Sequence, residues 1–323
     1  MPKSVKTAPQ GVLRHYLNFD WLVVVVASWL IPLLLFNIWN RTYLYSEFFW
    51  VLPIVALLPR FFHEAPPGSR RRRAFYWATA FILVAGSGLD LLLGRVILTF
   101  DADSYWGFFL GIPYEEFIFY LLGPVAMLLV YFWCDSYFLK VSSPESQRLK
   151  MKLDQFLVQA SPGLFLTAIL LLALGLGLKW FWWPGAGLWP VYYLFLLSAA
   201  FLPTIFFYRV VKNLVNWQAM TMTVLYVLVT SIIWEPTLGV PLKWWGYQPQ
   251  AMLGLFLRAW QDSIHVNLPI EAVLLWLTVP FSCIFFFEIV SAHHYHPAKK
   301  WRDRYFSRKH GWRASFRLGS GKK

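Results

Sequence analysis

The sequence predicts an all-α fold, a polytopic bundle of about eight transmembrane helices with a parallel duplication of a four-helix unit. Three observations lead to this prediction. Of the 323 residues, 58% are hydrophobic and only 14% are charged, against roughly a quarter charged in an ordinary soluble domain. The apolar residues gather in runs of the length that a helix needs to cross a bilayer. One motif also occurs in both halves of the chain.

The predicted spans are about eight apolar runs of about 20 residues. They cover 20–38, 43–61, 74–98, 113–134, 162–183, 188–208, 219–240 and 268–292. The second is the weakest, because Glu47, Pro53 and Pro59 interrupt it. A chain in lipid must satisfy its backbone hydrogen bonds internally, so runs of this length are expected to be helices.

Lysine and arginine residues predict how these spans are oriented. With the N-terminus inside, 24 of the 29 Lys and Arg residues fall in segments on the cytoplasmic side. Positive residues concentrate in cytoplasmic loops, so both termini are expected to be cytoplasmic and the protein to be a multi-pass protein of the inner membrane. The first apolar run is long and lacks a small-residue cleavage site, so it is not expected to be a signal peptide.

We divide the chain into a first membrane half at 1–150, a second membrane half at 151–297 and a basic cytoplasmic tail at 298–323. The tail interleaves basic residues with aromatic residues such as Trp301 and Trp312. That composition predicts contact with anionic lipids. Topology and the tail together account for the net charge of +13, so no nucleic-acid partner is expected.

Cysteine and histidine residues give no reason to expect a metal or a disulfide. Cys134 and Cys283 are interpreted as packing residues, because their spacing matches no metal or disulfide pattern. His293, His294 and His296 could bind a metal, but at a cytoplasmic helix end such a cluster more often complements the helix dipole. We therefore expect no metal site and no cofactor.

Acidic residues are distributed differently from the basic ones, because several of them gather on the outer half of the predicted topology. These are Asp90, Asp101, Asp103, Glu115, Glu116, Glu235, Asp262 and Glu271. An acid inside a membrane helix is costly and is by default a candidate functional residue. Asp101, Asp103 and Asp262 lie in loop sequence and are expected to be solvated. The others lie within predicted helices or at their first turns.

The motif IPYEEFIFYLLGP, which starts at Ile112, aligns without gaps on LPIEAVLLWLTVP, which starts at Leu268. Each copy is expected to begin a helix, and each follows a span that carries an acid, Asp90 or Glu235. Proline and a carboxylate in a first helical turn are also a common capping pattern. The repetition, the second carboxylate Glu116 and the acid in the preceding span favour a functional site. Because both copies have the same orientation, we interpret them as a parallel duplication.

These residues resemble the Pro-x-Glu-Glu-x-x-aromatic-aromatic signature of the membrane-integral lycopene cyclases, the bacterial c/d-type subunits and their fused archaeal and fungal relatives. The resemblance is carried by Pro113, Glu115, Glu116, Phe119 and Tyr120, with Asp90 in the preceding helix. It covers about two spans in each half and is partial in the second. There Ala272 replaces the second acid, and Leu275 and Trp276 replace the paired aromatic residues.

The resemblance implies an enzyme of carotenoid biosynthesis that cyclises the end group or end groups of lycopene, or of a related linear polyene in the bilayer. Other enzymes of that pathway become candidate partners. Cyclisation begins when a carboxylic acid protonates a terminal alkene, and burial near a second carboxylate helps such an acid to keep its proton. The candidate catalytic residues are Glu115, Glu116 and Asp90, with Glu271 and Glu235 in the second half.

Such a site also needs walls that stabilise a carbocation, which aromatic faces do through cation–π attraction. The candidates for substrate binding are the motif proline and nearby aromatic residues, namely Pro113, Tyr105, Trp106, Phe117, Phe119, Tyr120, Trp244, Trp245 and Tyr247. Aromatic residues make up 20% of the chain, so any one of them is individually more typical of packing.

Other functions are weighed by the features that they require. A Mg²⁺-dependent prenyltransferase needs two Asp-rich motifs, and Asp101 with Asp103 falls short. A nucleotide-dependent redox enzyme needs GxGxxG between a strand and a helix, which is absent from the sequence. Two alternatives stay open. One is a carotenoid end-group hydratase, in which water captures the same cation; the other is a transporter that uses the carboxylates as a proton relay.

Overall fold

The computed structural model describes residues 54–136, 190–261 and 264–293, together with Leu30, Glu47, Val51 and seven single residues between 163 and 177. The predicted span at 20–38 therefore lies almost wholly outside the described residues, the span at 43–61 lies about half outside them, and the span at 162–183 lies largely outside them. The basic tail lies outside them as well.

The described part is mainly helical. Its helices are α1 Leu58–Glu64, α2 Arg70–Ile97, α3 Tyr114–Ser136, α4 Val191–Leu196, α5 Leu202–Val211, α6 Trp217–Trp234 and α7 Ile270–His293. Five helical stretches are long and apolar enough to cross a membrane: Arg70–Ile97, Tyr114–Asp135, Val191–Tyr208, Trp217–Gly239 and Ile270–Ala292. They confirm that five of the predicted spans are helical, and they are typical of a helical membrane protein.

Local sequence explains where two of these helices begin and where α6 changes from α-helical to π-helical geometry. The Ser69 side chain accepts a hydrogen bond from the Arg72 amide at the start of α2, and the Asn216 side chain accepts from two amides at the start of α6. Such caps satisfy amides that have no partner within a helix. Pro236 has no N–H, so it cannot donate to the carbonyl four residues earlier, and α6 continues as a π-helical segment, Glu235–Gly239.

α4 and α5 form one continuous span through a second π-helical segment, Leu197–Phe201. In the bundle, α2 packs against both α3 and α7, and α6 packs against the same two helices. The core between them includes Cys134 and Cys283 as buried free thiols, in agreement with their interpretation as packing residues. Each of the two acid-bearing helices thus contacts both motif helices.

The all-α prediction missed three short antiparallel ribbons in the loops of the motif end. β1 Leu98–Phe100, directly after α2, pairs with β4 Trp245–Tyr247. β2 Phe108–Phe109 pairs with β3 Ile112–Pro113 immediately before α3. β5 Phe256–Gln261 pairs with β6 Ile264–Pro269 immediately before α7. These strands have only two to six residues, too few for a hydropathy pattern to reveal them.

Both halves therefore present the same order of elements at the motif end. An acid-bearing helix is followed by a short strand, then by a hairpin, then by the motif helix. The β1–β4 ribbon joins the two halves, with Thr99 opposite Gly246. In the first hairpin, Leu110 and Gly111 have φ values of 50° and 82°, the left-handed conformation that a tight two-residue hairpin turn requires.

Polar contacts hold the opposite end of the bundle together. Arg71 on α2 forms an ion pair with Asp135 on α3 at 2.7 Å. Asn216, which caps α6, donates to the same carboxylate at 3.0 Å. Tyr131 on α3 donates to Glu288 on α7 at 2.9 Å. These bonds connect the four helices that also form the motif end.

Candidate active site

A pocket at the motif end brings together three buried carboxyl groups from both halves of the chain. Asp90 lies on α2, Glu116 on the first turn of α3 and Glu235 at the start of the π-helical segment after α6; all three line the pocket. They are only 3%, 6% and 2% exposed. None of the described residues that line the pocket is basic. The pocket therefore concentrates acid groups in a largely apolar enclosure.

Aromatic side chains form most of the remaining wall. They are Phe119, Tyr120, Tyr192, Phe195, Trp234, Trp245, Tyr247 and Trp276. Four of these were predicted: Phe119, Tyr120, Trp245 and Tyr247. Trp276 had a usable sequence signal, because it aligns with Tyr120 in the second motif copy. Tyr192 and Phe195 lie on α4, which carries no motif and gave no signal.

Glu235 is held by two hydrogen bonds. Its Oε2 accepts from the Tyr247 hydroxyl at 2.6 Å, and its Oε1 accepts from the Trp276 indole N–H. Asp90 differs, because its buried Oδ2 has no hydrogen-bond partner among the described residues. The two acids thus occupy related positions in the two halves but have unequal surroundings: the orientation of Glu235 is fixed, and Asp90 retains an oxygen available for another group.

Tyr247 is suited to remain a hydrogen-bond donor. Burial, with a smaller contribution from the neighbouring Glu235 carboxylate, raises the pKa of its phenol well above the usual value. A raised pKa keeps the hydroxyl protonated to higher pH, because both causes disfavour the phenolate. Tyr247 therefore stays protonated across the physiological pH range and continues to donate its hydrogen bond to Glu235.

Glu115 and Glu271, two of the predicted catalytic residues, are not among the residues that line the pocket. Both are fully buried. The Glu115 Oε1 accepts from the Trp106 amide at 2.8 Å, and the Glu271 Oε1 accepts from the Leu253 amide at 2.5 Å. The two aligned glutamates thus make equivalent contacts, and each fastens the preceding loop to the start of a motif helix.

Five predicted substrate-binding residues also lie away from the pocket wall, namely Tyr105, Trp106, Pro113, Phe117 and Trp244. Trp106 is 68% exposed, and Pro113 is buried in β3 opposite Phe108. Tyr105 donates its hydroxyl to the Trp244 carbonyl, a bond between the loops of the two halves. All of these except Phe117, which lies on α3, are in loops or strands at the motif end, and this position explains why those four do not line the pocket. Asp101 and Asp103 are exposed, as their loop sequence predicted.

Two apolar cavities adjoin the carboxylate pocket. The one beside α2, which we call the α2 chamber, has about 870 Å³ of empty space and shares Phe119, Tyr120, Phe195, Leu275 and Trp276 with the pocket. The one beside α6, which we call the α6 chamber, has about 580 Å³ of empty space and shares Phe119, Trp234 and Trp276 with it. The carboxyl groups therefore lie close to two apolar spaces.

Gly239 has no side chain, and this allows the Trp245 ring of the pocket wall to pack directly against it. A Cβ atom at Gly239 would lie 2.3 Å from the Trp245 ring, so Gly239→Ala should displace that ring and cost about 1–3 kcal/mol of stability. Gly88, within α2, is a matched control because nothing lies within 4 Å of its added Cβ, and Gly88→Ala should be neutral or stabilising by up to about 1 kcal/mol. Thermal unfolding in detergent measures both. Equal melting temperatures for the two variants would contradict this packing.

Among the described residues, no group of three or more His, Cys, Asp or Glu side chains has an arrangement that could hold a metal ion. The side chains of His293, His294 and His296 lie outside that part of the chain. Comparison of the chain with protein-family models, with curated proteins and with solved structures gave no match.

Proposed function

We propose that the chain is a multi-pass membrane enzyme of carotenoid biosynthesis that cyclises the end group of lycopene or a related linear polyene. One observation carries the proposal: Asp90, Glu116 and Glu235 share an aromatic-walled pocket that lies beside an apolar chamber. The resemblance of the motif around Glu116 to the membrane-integral lycopene cyclases supports the same function.

Cyclisation needs an acid, a base and a pocket wall that stabilises a carbocation. The acid adds a proton to the terminal double bond, whose electron pair forms the new C–H bond and leaves a tertiary cation. A neighbouring double bond attacks that cation, closing the ring by a C–C bond and moving the positive charge into the ring. A carboxylate then removes a ring proton, and the C–H electrons form the ring double bond. One proton enters and one leaves, so the product is an isomer of the substrate.

The pocket offers groups for each role. We assign the first proton to the pair Asp90 and Glu116, since Asp90 has an oxygen free of hydrogen bonds. In general, carboxyl groups that share a dry pocket resist simultaneous ionisation, which favours a retained proton. Glu235, oriented by Tyr247 and Trp276, is assigned the removal of the ring proton. Aromatic rings such as Phe119 and Trp234 stabilise the intermediate cation.

Expression in a lycopene-accumulating host tests the proposal directly. Chromatography of the extracted pigments should show a product with at least one ring. Unchanged lycopene, with the protein demonstrated in the membrane fraction, would refute a lycopene cyclase. A hydroxylated acyclic product would instead assign the hydratase reaction, in which water captures the first cation before the ring closes.

The proposed architecture has eight spans in two parallel four-helix units. The repeated order of elements at the motif end supports the duplication, as do the matching contacts of Glu115 and Glu271. In this arrangement both termini are cytoplasmic, and the protein lies in the inner membrane. The carboxylate pocket then lies at the outer end of the bundle.

Reporter fusions test the topology. Fusions after Arg73 and at Lys323 should both report a cytoplasmic location, because 24 of the 29 basic residues lie on that predicted side. A fusion after Gly111, in the β2–β3 turn, serves as the opposite control and should report the outer side. If the Arg73 and Lys323 fusions disagree, the proposed even number of spans is wrong.

A further inference from the structure

The two apolar chambers occupy equivalent positions in the two halves. α2 lines its chamber at the residues nine, eight, five, four and one positions before Asp90. α6 lines its chamber at the same five positions before Glu235. The internal repeat therefore provides one chamber for each half of the chain beside the shared carboxylate pocket. An apolar chain that starts in the pocket has two candidate directions in which to extend.

The side chains at these positions make the two chambers unequal. Ala85 and Gly86 on α2 correspond to Thr230 and Ser231 on α6, so the α2 chamber has the smaller side chains at both positions. The chamber volumes differ in the same sense, at about 870 and 580 Å³. The α6 chamber also has an acidic residue, Glu47, in its lining, whereas no charged residue is among the described residues that line the α2 chamber.

The strongest difference is at the position directly before each acid, where α2 has Leu89 and α6 has Trp234. The Trp234 ring lies 6.0 Å from the Phe119 ring and 5.1 Å from the Trp245 ring, measured between centroids. Trp234 lines both the α6 chamber and the carboxylate pocket, and it does not line the α2 chamber. An indole that lines both the pocket and the α6 chamber thus corresponds to a leucine that lines only the α2 chamber.

The α2 chamber extends along its helix, as a binding site for part of a linear substrate should. On α2 it is lined from Phe81 to Leu89, which at 1.5 Å per residue is about 12 Å along the helix. Its remaining wall is apolar apart from the Tyr120, Ser198, Trp276 and Ser282 side chains. At the end away from the carboxylates, the Phe81 ring stacks on Phe286 with centroids 4.2 Å apart.

We infer that the α2 chamber is the binding site for the polyene chain, and that the α6 chamber does not take it. The inference rests on the proposed function and deepens it, since the end group that reacts lies among Asp90, Glu116 and Glu235. The chain leaves the pocket on one side only. One end of the polyene therefore reacts in each binding event, and a second ring requires release and re-entry with the other end first.

A matched pair of substitutions at equivalent positions tests this site. Ala85→Phe fills the α2 chamber, and Thr230→Phe fills the α6 chamber at the corresponding residue. In the lycopene-accumulating host, Ala85→Phe should lower the cyclised product at least tenfold, and Thr230→Phe should change it less than about twofold. The purified proteins give a second readout that is independent of turnover: polyene absorbance should co-purify with the wild type and with Thr230→Phe but not with Ala85→Phe.

The outcomes separate the inference from the proposed function. Wild-type protein that forms no ring refutes the cyclase, yet polyene lost only from Ala85→Phe would still place the chain in the α2 chamber. A productive, pigmented Ala85→Phe overturns the inference, and so does equal loss in both variants. If Ala85→Phe does not accumulate in the membrane, the smaller change Ala85→Leu, compared with Thr230→Leu, should show the same contrast.

Discussion

Glu116→Gln is expected to lower the cyclised product by about 100-fold or more, the usual size of a general acid–base contribution. Glutamine keeps the size and hydrogen bonding of the side chain but removes the titratable proton. Glu116 lines the carboxylate pocket, so the loss should appear in the rate and not in the amount of membrane-inserted protein. Pigment analysis normalised to protein level measures it.

The neighbouring residue supplies the control. Glu115→Gln should retain most of the activity, because the glutamine oxygen can still accept the Trp106 amide hydrogen bond that Glu115 accepts at 2.8 Å. A loss as large as that of Glu116→Gln, in a protein with unchanged thermal stability, would show that Glu115 takes part in the chemistry. The two adjacent positions therefore separate the pocket from the loop anchor.

Glu235→Gln should also reduce cyclised product by about 100-fold, although it lies in the half with the degenerate motif. The glutamine amide would meet the donors Tyr247 and Trp276, both of which bond the carboxylate in the native pocket. Loss of the base and loss of its orientation then act together. Steady-state turnover in membranes, with lycopene supplied, is the appropriate measurement.

Glu271→Gln is the matched control in the same half, since Glu271 accepts a loop amide and does not line the pocket. It should keep most of the activity. Full activity of Glu235→Gln, with normal insertion, would mean that the second half contributes walls and no chemistry. Activity lost only in Glu271→Gln would move the site from the carboxylate pocket to the start of α7.

Composition and motif spacing were sufficient to predict the helices that build the site. The apolar runs that became α2, α3, α6 and α7 are long, and each needs only local hydrogen bonds, so their existence follows from hydropathy. The predicted spans also placed the acidic residues near one end of these helices. The predicted alignment of Glu115 with Glu271 corresponds in the structure to the same contact in both halves.

The sequence could not predict that Glu116 lines the pocket while Glu115 binds the loop amide of Trp106. Adjacent helical residues differ by about 100° in direction, so one can contact the loop while the other lines the pocket. Which one does so depends on where the loop amide of Trp106 lies, and that position is set by tertiary contacts. Sequence spacing placed both acids at the helix start, and only the fold distinguishes them.

Residues from outside the motif were missed for a related reason. Tyr192 and Phe195 reach the pocket because α4 packs against α2 and α7, a contact that hydropathy does not specify. The β1 and β4 strands have three residues each, and each finds its partner in the other half of the chain. Pairing over such a distance leaves no local pattern in either segment.

The β1–β4 ribbon has a consequence for biogenesis. It pairs Leu98 with Tyr247, about 150 residues later in the chain, and domains synthesised first begin to fold first. During translation the first half must wait in the bilayer with Asp90 and Glu116 already inserted, until α6 and β4 arrive to complete the enclosure. Contacts between such distant segments form late, because the connecting loop must be ordered first. Newly made protein should thus pass through a stage in which the helices of the first half have formed but the carboxylate pocket is still incomplete.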